Sequence, residues 1–156
     1  MESNNIIKGN VKTTIYDGSV KIREFTDHNT GTIDICKYIR LGLMGKSYLA
    51  ERPGILRAYT KDSTTGNFVP LTASGVAVQE IKEGSVGDTS CSCIYSFIIP
   101  SSHLSQGTVI YKYELCSLAD ISKVYATIVF NESDSITIAS SNINVKVDWT
   151  LSISYK

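Results

Sequence analysis

The chain has 156 residues, 42% of them hydrophobic, which by size makes one domain able to bury a core without disulfide or metal staples. Lys and Arg together number 15 and so do Asp and Glu; the absence of a basic excess or stripe argues against a nucleic-acid binder, and zero net charge gives little protection against self-association, as suits a chain that assembles. The opening Met-Glu-Ser-Asn-Asn lacks the basic start and apolar run of a secretory signal, and no stretch is apolar for the length of a bilayer crossing. The expectation is therefore synthesis and folding in the cytoplasm, with no membrane partner.

In chain order, residues 1–10 are expected to form a flexible arm and residues 11–156 a single domain. Segments 11–16 and 20–25 flank Asp17-Gly18, a hairpin signal because glycine accepts the positive φ of a tight turn. Asp27-His28-Asn29-Thr30-Gly31 reads as a second turn, and 32–39 as a strand with apolar residues on both faces. Residues 40–54 are the least regular, with a helical turn over 46–51 ended by Pro53-Gly54. Strands follow at 55–60, at 68–71 (an edge strand, because it contains Pro70) and at 76–81, with a loop over 82–89. Segments 90–99 and 108–116 read as a hairpin, 117–122 as one turn of helix, and 123–130 and 136–139 as further strands.

The clearest signal is the carboxyl end. Val145, Val147, Trp149, Leu151, Ile153 and Tyr155 alternate with Lys146, Asp148, Thr150, Ser152, Ser154 and Lys156. This is a strand with one buried and one wet face, about 40 Å long at about 3.3 Å per residue. The count is about ten strands, with at most one or two short helical turns. The fold class is all-β: an antiparallel two-layer β-sandwich or jelly roll.

The four cysteines are expected to be free and mostly buried. Cys91 and Cys93 sit two apart on one strand face, poorly placed to bond to each other, and matching the apolar faces of the 90–99 and 108–116 segments turns Cys116 away from both. Free thiols agree with a reducing compartment.

Chemistry-bearing patterns are weak. Gly42-Leu43-Met44-Gly45-Lys46-Ser47 resembles a phosphate loop, but position 40 is arginine where the pattern needs glycine, and the strand–loop–helix setting is missing. Metal binding is not expected, because His28 and His103 are the only histidines and Cys91-Ser92-Cys93 lacks a chelating spacer. Ser101 or Ser102 beside His103 on a loop does not make a triad, and no carboxylate pair can be nominated for glycoside hydrolysis. Asn131-Glu132-Ser133 matches the glycosylation pattern, which is read as chance without a secretory route. No catalytic residue and no cofactor are therefore expected.

Nine tyrosines are the compositional oddity; tyrosine serves half-buried cores, subunit interfaces and sugar platforms alike. The candidate interface residues are Trp149, Leu151, Ile153, Tyr155, Tyr111 and Tyr113. The long last strand could extend to pair with a partner, the simpler reading being that it is the central strand of the monomer.

The segment from Ser96-Phe97-Ile98-Ile99-Pro100 through Leu104 and Gly107 to Tyr111-Lys112-Tyr113 resembles a pattern of phage tail accessory domains. There a strand ends in proline, a short polar loop carries a leucine and a glycine, and an aromatic strand returns. The family is the amino-terminal β-sandwich of siphophage baseplate upper proteins, to whose early strand Thr30-Gly31-Thr32-Ile33-Asp34-Ile35 is also similar. The resemblance implies a virus or phage particle component, in capsid, tail or baseplate, that docks on copies of itself and on other particle proteins. The rival expectation is a carbohydrate-binding or adhesin-like sandwich, with glycan as partner.

Overall fold

The period-two rows resolve into strands whose apolar faces meet across two sheets. In the computed structural model, which describes residues 7–30, 33–46 and 49–154, the strands are β1 (Ile7–Asp17), β2 (Val20–Thr30), β3 (Pro53–Lys61), β4 (Phe68–Pro70), β5 (Val76–Ala77), β6 (Glu80–Val86), β7 (Ser90–Ile99), β8 (Val109–Ile110), β9 (Lys112–Ser117), β10 (Val124–Val129), β11 (Ile136–Thr137) and β12 (Ile143–Ser154). One helix, α1 (Ile33–Leu43), and 3-10 turns at Leu49–Glu51 and Ser101–His103 complete the described elements.

The first sheet runs β2-β1-β12-β7-β6 and the second β10-β9-β3-β4, with β5 also on β3 and β8 pairing β11 apart. Every pairing is antiparallel, so the chain is an all-β antiparallel sandwich. β12 lies at the centre of the first sheet, between β1 and β7. Its inward row Ile143, Val145, Val147, Trp149 and Leu151 is buried beside Val11 and Ile15 of β1 and Tyr95, Phe97 and Ile99 of β7. Leu56, Tyr113, Leu115 and Ile128 of the second sheet face them in the same core. Along one side the two sheets are tied by side chains. Asn29 Nδ2 donates to the Thr127 carbonyl oxygen over 3.1 Å, Arg23 donates to the Ser133 and Ser135 carbonyls, and Phe25 meets Phe130 edge-on at 5.6 Å.

The structure corrects several sequence expectations. Residues 33–43 form a helix, not a doubly covered strand, because the apolar positions that matter are Ile35, Tyr38 and Ile39, the i, i+3, i+4 set of one helical face. Asp34 in the first turn and Arg40 in the last complement the helix dipole. The helix ends where Gly45 adopts φ 67°, with Lys46 N–H donating to the Leu41 carbonyl and Gly45 N–H to that of Gly42. That pair of bonds is a glycine C-cap, which satisfies the last carbonyls. The segment that mimics a phosphate loop is thus the carboxyl end of a helix, the pole that repels anions.

The Asp17-Gly18 hairpin forms, but β2 runs on through 27–30 where a second turn was expected, and β1 begins at Ile7, so residues 7–10 belong to the sheet and not to a free arm. The strand expected at 76–81 is broken into β5 and β6, and β6 runs on through 82–86 where a loop was expected; 117–122 form a turn in which Ser117 Oγ accepts from Ala119 and Asp120 N–H groups instead of a helical turn. The expected hairpin of 90–99 with 108–116 does not exist. β7 pairs β12 and β6, whereas β9 pairs β10 and β3, so the connection through Pro100, Leu104 and Gly107 crosses from one sheet to the other. Pro70 does sit at a sheet edge. The cysteines are free, as expected, but Cys36 and Cys91 are exposed and only Cys116 is fully buried. Among the described residues no helix is long and apolar enough to cross a membrane.

Candidate functional site

Strand parity assembles a mixed aromatic and cationic face on the outside of the second sheet. On β3 the period of two puts Arg57, Tyr59 and Lys61 on one side; on β9 it puts Lys112, Glu114 and Cys116 there. The antiparallel register sets Arg57 opposite Glu114 and Tyr59 opposite Lys112, while β4 brings Phe68 opposite Lys61 and β10 brings Val129 opposite Lys112. Tyr111 is anchored between β8 and β9 by its N–H to the Tyr59 carbonyl (2.9 Å) and by accepting the Phe130 N–H (2.8 Å).

Cations and rings alternate across this face. Lys61 Nζ lies 4.6 Å from the Tyr111 ring centre and 5.6 Å from that of Phe68. Lys112 Nζ lies 4.6 Å from Tyr59 and 5.0 Å from Phe68, and the Arg57 guanidinium 5.3 Å from Tyr59. Each such contact is worth about 0.5–1 kcal/mol where exposed, so together they hold the surface in one conformation. Beneath them Lys112 pairs with Glu114 at 2.6 Å, and the Tyr59 hydroxyl donates to the same carboxylate. Burial, and then the Glu114 charge, push the Tyr59 phenol well above its ordinary range, and burial pushes the Cys116 thiol up to about 12. Neither group is poised to act as a nucleophile near neutral pH. At the rim Phe68 and Val129 stay exposed, at 37% and 53%.

A second concavity, of about 360 Å³, lies on the outer face of the first sheet. Lys12, Lys82 and Lys146 surround it, with Asn10, Thr26, Asp148 and Thr150 as neighbouring hydrogen-bonding groups. Asp148 is held by the Ser96 hydroxyl at 2.6 Å and sits 3.7 Å from Lys146.

Of the interface residues chosen from sequence, Trp149 and Tyr113 are 0% exposed and Leu151 6%, so they belong to the chain's own core and cannot meet a partner in the folded state. Their strands are sandwiched on the face that carries them. Ile153 is 40% exposed at the end of β12, Tyr111 is half-buried within the aromatic face, and Tyr155 lies outside the described residues. Sequence reading missed Arg57, Tyr59, Lys61, Phe68 and Lys112 as a set. The spacing Arg57-x-Tyr59-x-Lys61 was there to be read as one strand face. Nothing local says that β9 and β4 flank it.

Among the described residues no group of three or more His, Cys, Asp or Glu side chains converges as a metal site. Fold and surface together describe a β-sandwich with a preformed aromatic–cationic face. The chain matches no family model, no curated protein and no solved structure in comparisons with each.

Proposed function

We propose that this protein is a structural component of a virus or phage particle that works by docking, on copies of itself and on neighbouring particle proteins, and not by turnover. The observation that carries the reading is the exposed Phe68 and Val129 set among Lys61, Lys112, Tyr59 and Tyr111. Exposed aromatic rings are enriched at protein interfaces, and rings pinned by cations are already ordered before binding. The particle setting rests on the resemblance of residues 96–113 to baseplate sandwich domains; the chain would be made in the cytoplasm and then join the particle.

Charge complementarity favours a second copy as one partner. The docking face carries Arg57, Lys61 and Lys112 against Glu114. The outermost strand of the first sheet and the turn after it carry Glu80, Glu83 and Asp88 against Lys82, with Ile81 and Val86 exposed at 47% and 82%. One copy's β6 flank on the next copy's aromatic face is a heterologous contact, which generates rings or open arrays. Light scattering across a concentration series is expected to show association that weakens as salt rises. Lys61→Glu should weaken it at least tenfold without loss of stability, and adding Glu83→Lys should restore part of it. A monomer at all concentrations and salts counts against self-docking.

The second reading is a carbohydrate-binding module. The groove around Lys12, Lys82 and Lys146 favours it, since hydroxyl-bearing and anionic ligands suit such a lining. The aromatic face does not support it, because lysines already cover its rings. A glycan array with acidic saccharides should give hits that Lys146→Ala removes if this reading holds, and no hits if docking on protein is the function.

A further inference from the structure

Between α1, which packs on β10, and the β7–β12 end of the first sheet there is a cavity of about 220 Å³. Its floor is Leu151 and Tyr95, its roof Ile35, Tyr38 and Ile39 of α1, and its rim Ile153. The register explains the space. Going backward along the inward face of β7 the side chains are Ile99, Phe97 and Tyr95, then shrink to Cys93 and Cys91, just where Leu151 and Ile153 lie opposite them. None of the described residues lining it carries a formal charge, and the nearest charge acting on it is that of Arg52, next to Pro53, on Tyr95. The Tyr95 hydroxyl interacts with the neighbouring Cys93 thiol, so little polar capacity is turned to a guest.

We propose that this cavity binds a small uncharged apolar molecule, an aromatic ring carrying a short alkyl chain. A dry apolar cavity of about 150 Å³ takes up benzene, and the larger space here adds room for a few carbons more. An ionised group would lose its hydration against this apolar lining, a cost that disfavours it relative to an uncharged guest. The site is independent of the docking face, which lies at the other end of β3: Pro53 lines the cavity, and Lys61 belongs to the face.

The two exposed thiols give a built-in control, since Cys91 lines the cavity and Cys36, on the solvent side of α1, does not. The folded chain is titrated with n-butylbenzene while iodoacetamide alkylation is followed at each cysteine by mass spectrometry, and the melting temperature is read in parallel. The expected result is a saturable rise in melting temperature, with alkylation of Cys91 slowed at least fivefold and that of Cys36 unchanged. Cys93→Phe, which fills the space, should weaken the ligand-induced shift at least tenfold. Ile153→Lys, at an exposed rim position that folding tolerates, should weaken it by a similar factor. No saturable shift in the unaltered chain, equal protection of Cys36 and Cys91, or binding that survives both substitutions would overturn the proposal.

Discussion

Trp149→Ala is expected to remove about 3–5 kcal/mol of stability, the range for truncating a large buried aromatic side chain. The indole is 0% exposed on the central strand of its sheet, opposite Val11 on β1 and Tyr95 on β7, so no surface loop can collapse into the space it leaves. Against a total stability of about 5–15 kcal/mol the loss is a large fraction, and at about 2–4 °C per kcal/mol it lowers the melting temperature by about 6–20 °C. Trp149→Phe is the informative partner. The indole Nε1 and the Asn29 Oδ1 are both buried without a hydrogen-bond partner. They crowd the spot above Gly9, where a Cβ would sit 3.0 Å from the first and 1.8 Å from the second. Phenylalanine keeps most of the apolar volume and removes the unpaired donor, so its cost should stay below about 1.5 kcal/mol, as for near-isosteric core swaps. Urea unfolding followed by far-ultraviolet circular dichroism reads both variants, since neither retains the tryptophan signal. A Trp149→Ala midpoint within 1 kcal/mol of the parent would contradict its place in the core.

Where one face of a strand is wet and the other buried, the sequence is explicit, and β12, β7 and the β1–β2 hairpin were legible for that reason. Two kinds of information were not. Ile33, Ile35, Cys36, Tyr38 and Ile39 fit a two-sided strand as well as a short helix, and what decides is that the helix packs on β10, with Tyr38 against Tyr125, and joins the core through Ile35, a tertiary contact. Pairing is the other. β7 and β9 are neighbours in sequence and look like a hairpin, yet β7 takes as partner β12, some fifty residues on. Loop-closure entropy grows so slowly with length that a better hydrophobic match far away outcompetes a near one. The aromatic–cationic face was invisible for the same reason: each strand's parity could be read, but the face exists only once β4, β3, β9 and β10 stand side by side. Tyr111 alone of the residues chosen from sequence falls on it. The alternation that made Trp149 conspicuous is also what buries it, so the strongest sequence signal marked the core and not the site.

The fold is expected to lose stability steeply above about pH 9. Cys116 is held in its neutral form up to about 12, against an ordinary thiol value near 8.5. Tyr113 and Tyr95 are pushed above the ordinary phenol value near 10 chiefly by burial, and Tyr59 by burial together with the Glu114 carboxylate. For each of these groups the unfolded chain releases its proton at the ordinary value while the folded chain still holds it. The contribution to stability is therefore complete below the ordinary value, and is lost as pH rises toward the raised one. Between about pH 9 and 10 the thiols count, Cys116 foremost and Cys93, also raised by burial, beside it, and stability should fall by up to about 1.4 kcal/mol per pH unit for each; above about pH 10 the phenols join, Tyr125 with the three just named, and the slope should rise to several times that. A fold of ordinary stability would then give way before pH 12. Urea midpoints at pH 8, 9, 10 and 11 measure the slope, and Cys116→Ala and Tyr113→Phe should each remove one proton's worth of it. The phenolate absorbance of these buried tyrosines should appear with unfolding and not ahead of it. Thr13 donates to the Tyr113 oxygen over a long 3.5 Å, too weak a bond to hold a phenolate inside the core. A midpoint that stays level from pH 8 to 11 would mean that water reaches Tyr113 between the sheets in the folded chain, and Cys116 from the outer face of the second sheet, where Arg57, Tyr59 and Lys112 lie.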